Sequence, residues 1–123
     1  MEYHLYGKID NMPPLSAMIV PEIEAVVQAF SLTKVYESYD QKFFGDGELI
    51  LCGPGVSVRF IRERADFFMD LRGDDGDWVD ANKVLEKLHV YASVEPPEPV
   101  PISELVALVC SNAEAIKRVV AEE

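Results

Sequence analysis

The sequence predicts an α+β protein in which an antiparallel, four- to five-stranded meander sheet packs against about three helices. Three observations predict this class: a central block in which apolar and polar residues alternate, short polar or glycine-rich links within that block, and helical apolar spacing on both sides of it. The chain has 123 residues, of which 49% are apolar. That size and composition predict a single domain over residues 1–123 with a core of its own.

The first part of the chain combines a strand pattern with a helix pattern. Alternation over residues 3–9 predicts a short strand. Residues 15–20 are predicted to form a turn or a kinked helix entry, because Pro21 inside a longer helix would cost about 3 kcal/mol. A helix is predicted from Pro21 onward, with the apolar stripe Ile23, Val26, Val27 and Phe30.

The centre of the chain predicts the sheet. Four runs have strand character, at residues 34–40, 48–52, 56–60 and 67–71. The links between them are short enough for hairpins, so neighbouring strands are expected to pair antiparallel and to leave one face of the sheet uncovered. The side chains expected on that face are Ser57, Arg59, Asp70 and Arg72, with Tyr36 and Phe68 beside them.

The last part of the chain returns to helical spacing. Asp77 is the predicted N-cap of a helix with Asp80 at its third position, and the buried stripe is Ala81, Val84, Leu85 and Leu88. Residues 95–101 contain four prolines and predict a stiff spacer. A final helix is expected after Ser103, with a restart at the capping-box pattern of residues 111–114.

The net charge of −11 is concentrated towards the end of the chain. Residues 73–123 carry −7, whereas residues 1–31 carry −3 and residues 32–72 carry −1. A surface of one sign repels nucleic acid and anionic lipid and attracts basic proteins over about 8 Å at physiological salt. The charge therefore indicates a basic protein partner, with no nucleic acid and no membrane.

Patterns that carry catalysis or ligand binding are missing from the sequence. The two histidines, His4 and His89, have no neighbour at metal-ligand spacing, and no phosphate-binding loop or nucleophile elbow is present. Cys52 and Cys110 lie in apolar runs and are expected to be small buried hydrophobes. The sequence predicts a non-enzymatic protein without cofactor or metal, and the N-terminal residues predict a cytoplasmic location.

A resemblance to a known class rests on residues 48–89. The segments VSVRFIRERADFFMDLRG and DWVDANKVLEKL, an arginine-rich hairpin followed by an acidic turn with tryptophan and a short amphipathic helix, resemble immunity proteins of bacterial polymorphic-toxin and contact-dependent inhibition systems. The resemblance implies a protein that binds a cognate toxin and blocks it. Toxins of this kind include nucleases with basic clefts, which an acidic partner can occupy.

The candidate partner-binding residues are the acidic side chains and the tryptophan around the helix start predicted at Asp77, with two glutamates of the spacer as a second edge: Asp74, Asp75, Asp77, Trp78, Asp80, Glu95 and Glu98. The alternative is that the carboxylates only solvate the surface. Trp78 has two interpretations, a hydrophobic staple that closes the helix start over the sheet or an exposed anchor for a partner.

Two further functions remain open at this stage. The first is a homodimeric adaptor that uses the aromatic sheet face and the last helix. The second is a small-ligand-binding domain in which Arg59 and Arg72 hold an anion. Against the second, both arginines are expected to pair across the sheet with Glu37, Glu48 and Asp70.

Overall fold

The computed structural model describes residues 14–40, 46–64, 66–90 and 100–122. The predicted strand at residues 3–9 and most of the predicted spacer, including Glu95 and Glu98, lie outside these residues. The described part confirms the α+β class with an antiparallel sheet open on one side and packed against helices on the other.

Five strands form the sheet in the order of the chain, each antiparallel to the next. The strands are β1 (Thr33–Asp40), β2 (Asp46–Gly53), β3 (Val56–Glu63), β4 (Asp66–Arg72) and β5 (Val79–Asp80). Gly55 in the β2–β3 turn has φ 85°, which glycine adopts without a side-chain penalty. The predicted meander is confirmed, and β5 adds a fifth strand that alternation over two residues could not indicate.

In the described ranges, five helical segments precede or follow the main strands. They are α1 (Leu15–Met18), α2 (Val20–Phe30), α3 (Ala81–Lys87), α4 (Ile102–Ser111) and α5 (Ala113–Ala121). The predicted kinked entry before Pro21 is the separate α1, and the predicted restart near Ser111 divides α4 from α5. The three expected helices thus become five segments because two of them break where proline or polar residues interrupt the apolar stripe.

The helices cover one face of the sheet. Leu49, Phe60 and Met69 are opposite one another on adjacent strands and are at most 1% exposed. They pack in one core with helix residues such as Val26 and Val109. Because side chains alternate along a strand, the neighbouring positions point to the opposite face.

Three predicted helix starts are wrong in detail. Val79 and Asp80 pair with β4, so Asp77 does not cap α3; Asp80 is the N-cap, and its Oδ1 accepts a hydrogen bond from the Asn82 backbone N–H at 2.8 Å. The α4 helix begins at Ile102, after Pro101, one residue before the predicted cap Ser103. Pro101 has an extended conformation there, and its carbonyl accepts from the Leu105 N–H.

The predicted capping box at residues 111–114 is also wrong. The Ser111 hydroxyl donates to the Ala107 carbonyl at 2.8 Å, and the Asn112 amide donates to the Leu108 carbonyl at 2.8 Å. Both side chains therefore bond back to α4, and the N-terminus of α5 has no side-chain cap. Serine and asparagine side chains can form hydrogen bonds with the last carbonyl groups of one helix or with the first N–H groups of the next. Here they bond to carbonyl groups of the preceding helix.

Glu37 lies on the helix-covered face of β1, opposite Leu49. Its carboxylate accepts hydrogen bonds from the Ser16 backbone N–H and hydroxyl, both at 3.0 Å, and from Lys34 Nζ at 3.2 Å. The expected pairing of Glu37 with the arginines is therefore wrong, because Arg59 lies on the other face. Through its hydrogen bonds to Ser16, Glu37 instead connects α1 to β1 at the edge of the sheet.

Candidate functional site

Four aspartates lie between the end of β4 and the start of α3, and we call them the acidic segment: Asp74, Asp75, Asp77 and Asp80. All four side chains are exposed. Within the described parts of the chain, no lysine or arginine forms an ion pair with any of them. Their charge is consequently available to solvent and to a partner.

The last helix fixes where the acidic segment leaves the sheet. Gly73 is buried, and a Cβ atom at this position would collide with the backbone oxygen of Val120 near the C-terminus of α5. An open pocket of about 210 Å³ lies at this junction, lined in part by Asp74, Asp75 and Ala121. The carboxyl end of a helix carries a partial negative charge, which adds to the negative potential of the two carboxylates.

Asp80 connects the acidic segment to the uncovered face of the sheet. It is the register partner of Asp70 on β4, and Asp70 is the partner of Arg59 on β3. Residues paired across adjacent strands point to the same face. The acidic segment therefore ends on the edge of the sheet face that no described helix covers.

We call part of this surface the open face, defined by these outward positions of the five strands: Tyr36, Glu48, Ile50, Cys52, Ser57, Arg59, Ile61, Phe68, Asp70, Arg72 and Asp80. The predicted outward positions of Ser57, Arg59, Asp70 and Arg72 are confirmed, as are those of Tyr36 and Phe68. Ser57 is only 8% exposed, so it contributes little accessible surface.

Arg59 is the centre of an ion-pair network on the open face. Its Nη2 and Nε atoms both donate to Asp70 Oδ2, at 2.7 and 3.1 Å. Its Nη1 atom lies 3.5 Å from Glu48 Oε2. The expected cross-strand pairing of Arg59 is thus confirmed, and an incoming anion would have to displace two carboxylates to reach this guanidinium.

Trp78 lies against both arginines of the open face. The Arg59 and Arg72 guanidinium carbons are 4.7 and 4.3 Å from the centre of its ring, within the range of a cation–π interaction. Trp78 is half-buried and is not part of the core beneath the helices. The staple interpretation is therefore wrong, since the ring covers charged side chains on the open face. As an anchor, it is only partly available.

Arg72 differs from Arg59 in having no carboxylate partner among the described residues. Its Nε atom is buried and makes no hydrogen bond within this part of the chain. The expected pairing of Arg72 across the sheet is therefore not found among the described residues, where its recorded contact is with Trp78. The two arginines share a face as predicted, but Trp78 covers them both.

An apolar patch runs diagonally across the open face, from β1 to β4. Its members are Tyr36, Ile50, Ile61 and Phe68. Tyr36 is opposite Ile50, and Ile61 is opposite Phe68; Ile50 and Ile61 are diagonal neighbours on adjacent strands. Tyr36 and Phe68 are 49% and 46% exposed, which is unusual for aromatic side chains in a sheet.

Chemistry that would support catalysis is sparse in the described ranges. Within them, no group of three or more His, Cys, Asp and Glu side chains is arranged to hold a metal ion. Burial raises the pKa of the Cys110 thiol, which disfavours the reactive thiolate. No helix between residues 14 and 122, within the described ranges, is long and apolar enough to cross a membrane.

The structure brings most predicted site residues together at one edge of the sheet. Five of them lie within seven residues: Asp74, Asp75, Asp77, Trp78 and Asp80. Asp70, which belongs to the ion-pair network, precedes them on β4. The relation of Glu95 and Glu98 to this edge lies outside the described residues. Ile50 could not be assigned to a face from the sequence, because residues 48–52 form an apolar run without alternation. Ile61 was missed because the predicted strand ended at residue 60, whereas β3 continues to Glu63.

Comparison with known proteins adds no relative: no protein-family model, no curated protein and no solved structure matches this chain. The interpretation of the site therefore rests on its geometry and charge.

Proposed function

We propose that this chain is a non-enzymatic inhibitor of the immunity-protein class, which binds a basic toxin and occludes its active cleft. The observation that supports the proposal best is the acidic segment, with four exposed aspartates in a seven-residue span and no ion-pair partner among the described residues. An exposed carboxylate without an ion-pair partner can form ion pairs with a binding partner without first losing an internal one.

The net charge of the acidic segment and the open face together is negative. The open face and the acidic segment together carry six carboxylates (Glu48, Asp70, Asp74, Asp75, Asp77 and Asp80) and two arginines (Arg59 and Arg72), which leaves four net negative charges. Arg59 is bound by Asp70 and Glu48, and both arginines stack on Trp78. Among the described residues, neither arginine forms an ion pair with an aspartate of the acidic segment.

A basic active-site cleft that normally binds phosphates is the complement of such a surface. Carboxylates at the spacing of neighbouring residues can pair with the lysines and arginines that would otherwise contact a nucleic-acid backbone. Complementary charge also accelerates association, towards 10⁸ M⁻¹s⁻¹ or more at low salt. The proposed partner is thus a basic toxin domain, with nucleases as one class, and a cytoplasmic location is part of the proposal.

The test uses the gene immediately upstream of this one. The C-terminal domain of its product is purified, and its affinity for this chain and its toxicity in co-expressing cells are measured. We expect tight binding and loss of toxicity for the wild-type chain. Asp74→Lys/Asp75→Lys should fold normally, because both residues are exposed, and should weaken binding by about 100-fold.

A matched control variant distinguishes the effect of charge in the acidic segment from the effect of the net charge of the chain. Glu24→Lys/Glu104→Lys makes the same change in net charge at two exposed glutamates of α2 and α4, on the helix layer. This control should bind within about three-fold of wild type, since exposed charges outside the contact contribute little. Equal losses for both double variants, or no binding by the wild-type chain, would contradict the proposal.

A further inference from the structure

We infer that the apolar patch of the open face is a second part of the binding surface and that it receives the apolar side of a basic protein segment. The inference deepens the proposed function and rests on it for the identity of the partner, although the surface can be tested without any toxin. It follows from the order in which residues lie across the sheet.

One register row crosses all five strands. From β1 to β5 it reads Tyr36, Ile50, Arg59, Asp70 and Asp80. With neighbouring strands about 4.8 Å apart, the row is about 19 Å long. Its composition changes along this length from apolar, through the Arg59–Asp70 ion pair, to the exposed carboxylate of Asp80.

The apolar end of this surface is available to a partner. Tyr36 and Phe68 are each about half exposed, at 49% and 46%. Exposed aromatic groups beside charges are typical of the anchor positions in protein interfaces, where burial of the ring supplies affinity. Phe68 is two residues from Asp70 on β4, so the apolar patch and the acidic half adjoin directly.

The net charge of the chain indicates which class of partner this surface favours. Each copy of the chain carries a net charge of −11, so the approach of two copies has a cost in repulsion. A basic, amphipathic segment has no such cost: its cations can meet the acidic segment while its apolar side covers Tyr36 and Phe68. Charge complementarity thus favours a basic partner over a second copy.

Two synthetic peptides of equal charge test the surface. One is an amphipathic helix of lysine and leucine, and the other replaces every leucine with serine. With the ¹⁵N-labelled full chain, both peptides should shift the backbone amide signals of the acidic segment. Only the lysine–leucine peptide should also shift those of Tyr36, Ile50, Ile61 and Phe68, and it should bind about ten-fold more tightly.

Two variants test whether the tighter binding of the lysine–leucine peptide depends on the open face. Tyr36→Ser/Phe68→Ser should lower the affinity for the lysine–leucine peptide to that of the lysine–serine peptide, with an unchanged melting temperature. The control Val20→Ser removes an apolar side chain that is 43% exposed at the start of α2, and it should leave both affinities unchanged.

The inference is overturned if the double variant binds the lysine–leucine peptide as tightly as wild type, or if the shifts fall outside the open face. Concentration-dependent shifts at Tyr36 and Phe68 without peptide, together with a dimer mass, would also overturn it, because a second copy would then be the occupant. Failure of the proposed function is distinct: the upstream toxin domain would not bind, whereas the peptide results would stand.

Discussion

At the residue scale, Trp78 connects the acidic segment with the two arginines of the open face. Its ring lies within 5 Å of both Arg59 and Arg72, and each such contact contributes about 0.5 to 2 kcal/mol depending on solvent exposure. The sequence identified Trp78 as important but not the direction of its side chain, since a turn has no periodicity from which to read it.

Glu37 gives a residue-scale prediction about pH. Partial burial acts to raise its pKa, but the hydrogen bonds from the Ser16 backbone and hydroxyl and from Lys34 outweigh this effect, so the pKa of Glu37 is lowered from the usual 4.5. The ionised carboxylate therefore stabilises the fold at neutral pH. This contribution is complete above the unfolded-state pKa and is lost as the pH falls through the lower, folded-state pKa.

The variant Glu37→Gln should lower the free energy of unfolding by about 1 to 2 kcal/mol at pH 7. The difference from wild type should shrink as the pH falls below 4.5, because protonation removes the same charge from the wild-type chain. Urea unfolding at several pH values measures it, with Glu104→Gln on the exposed side of α4 as the control. A difference that stays constant down to pH 3 would contradict the assigned hydrogen bonds.

At the element scale, the strands follow from the sequence more closely than the helix ends do. Residues such as Val56, Val58 and Phe60 alternate with polar residues, and a sheet with one buried face leaves only one register for them. Helix ends depend on single hydrogen bonds. Asp77 and Asp80 are both suitable caps by residue type, and the choice between them is made by the pairing of Val79 with Leu71, a contact that no local pattern reveals.

The junction of β4 with α5 provides an element-scale prediction. Gly73 is buried, and an added Cβ would meet the backbone of Val120, which cannot move aside as the end of a flexible side chain could. Gly73→Ala should therefore lower the free energy of unfolding by about 1 to 3 kcal/mol. Chemical denaturation monitored by circular dichroism measures the change.

The same variant should also displace the acidic segment, because Asp74 follows Gly73 directly. Amide chemical shifts of residues 74–77 should change more in Gly73→Ala than those of the distant α2. An unchanged stability, with shifts no larger at the acidic segment than elsewhere, would show that the contact between β4 and the end of α5 does not hold this turn in place.

At the scale of the whole molecule, charge and apolar surface are separated. The helices bury one side of the sheet, while the opposite side joins an apolar patch to the acidic segment. The sequence predicted the acidic half, because charges can be counted. It also predicted Tyr36 and Phe68 on the uncovered face, but not the apolar patch that they form with Ile50 and Ile61, because Ile50 lies in an apolar run and Ile61 lies beyond the end of the predicted strand.

The concentration of negative charge predicts steered association with a basic partner. Attraction between opposite charges raises the association rate most at low salt, where the Debye length is long, and is screened as salt increases. Dissociation depends instead on short-range contacts such as those proposed for the open face. Salt should therefore change the association rate more than the dissociation rate.

The central claim is that the acidic segment meets a cationic protein, and the association rate with the upstream toxin domain tests it most directly. Stopped-flow measurements from about 20 to about 200 mM salt should show at least a ten-fold fall in that rate for wild type. For Asp74→Lys/Asp75→Lys the rate should be lower and nearly independent of salt, with Glu24→Lys/Glu104→Lys closer to wild type. A wild-type rate that does not change with salt would contradict the claim.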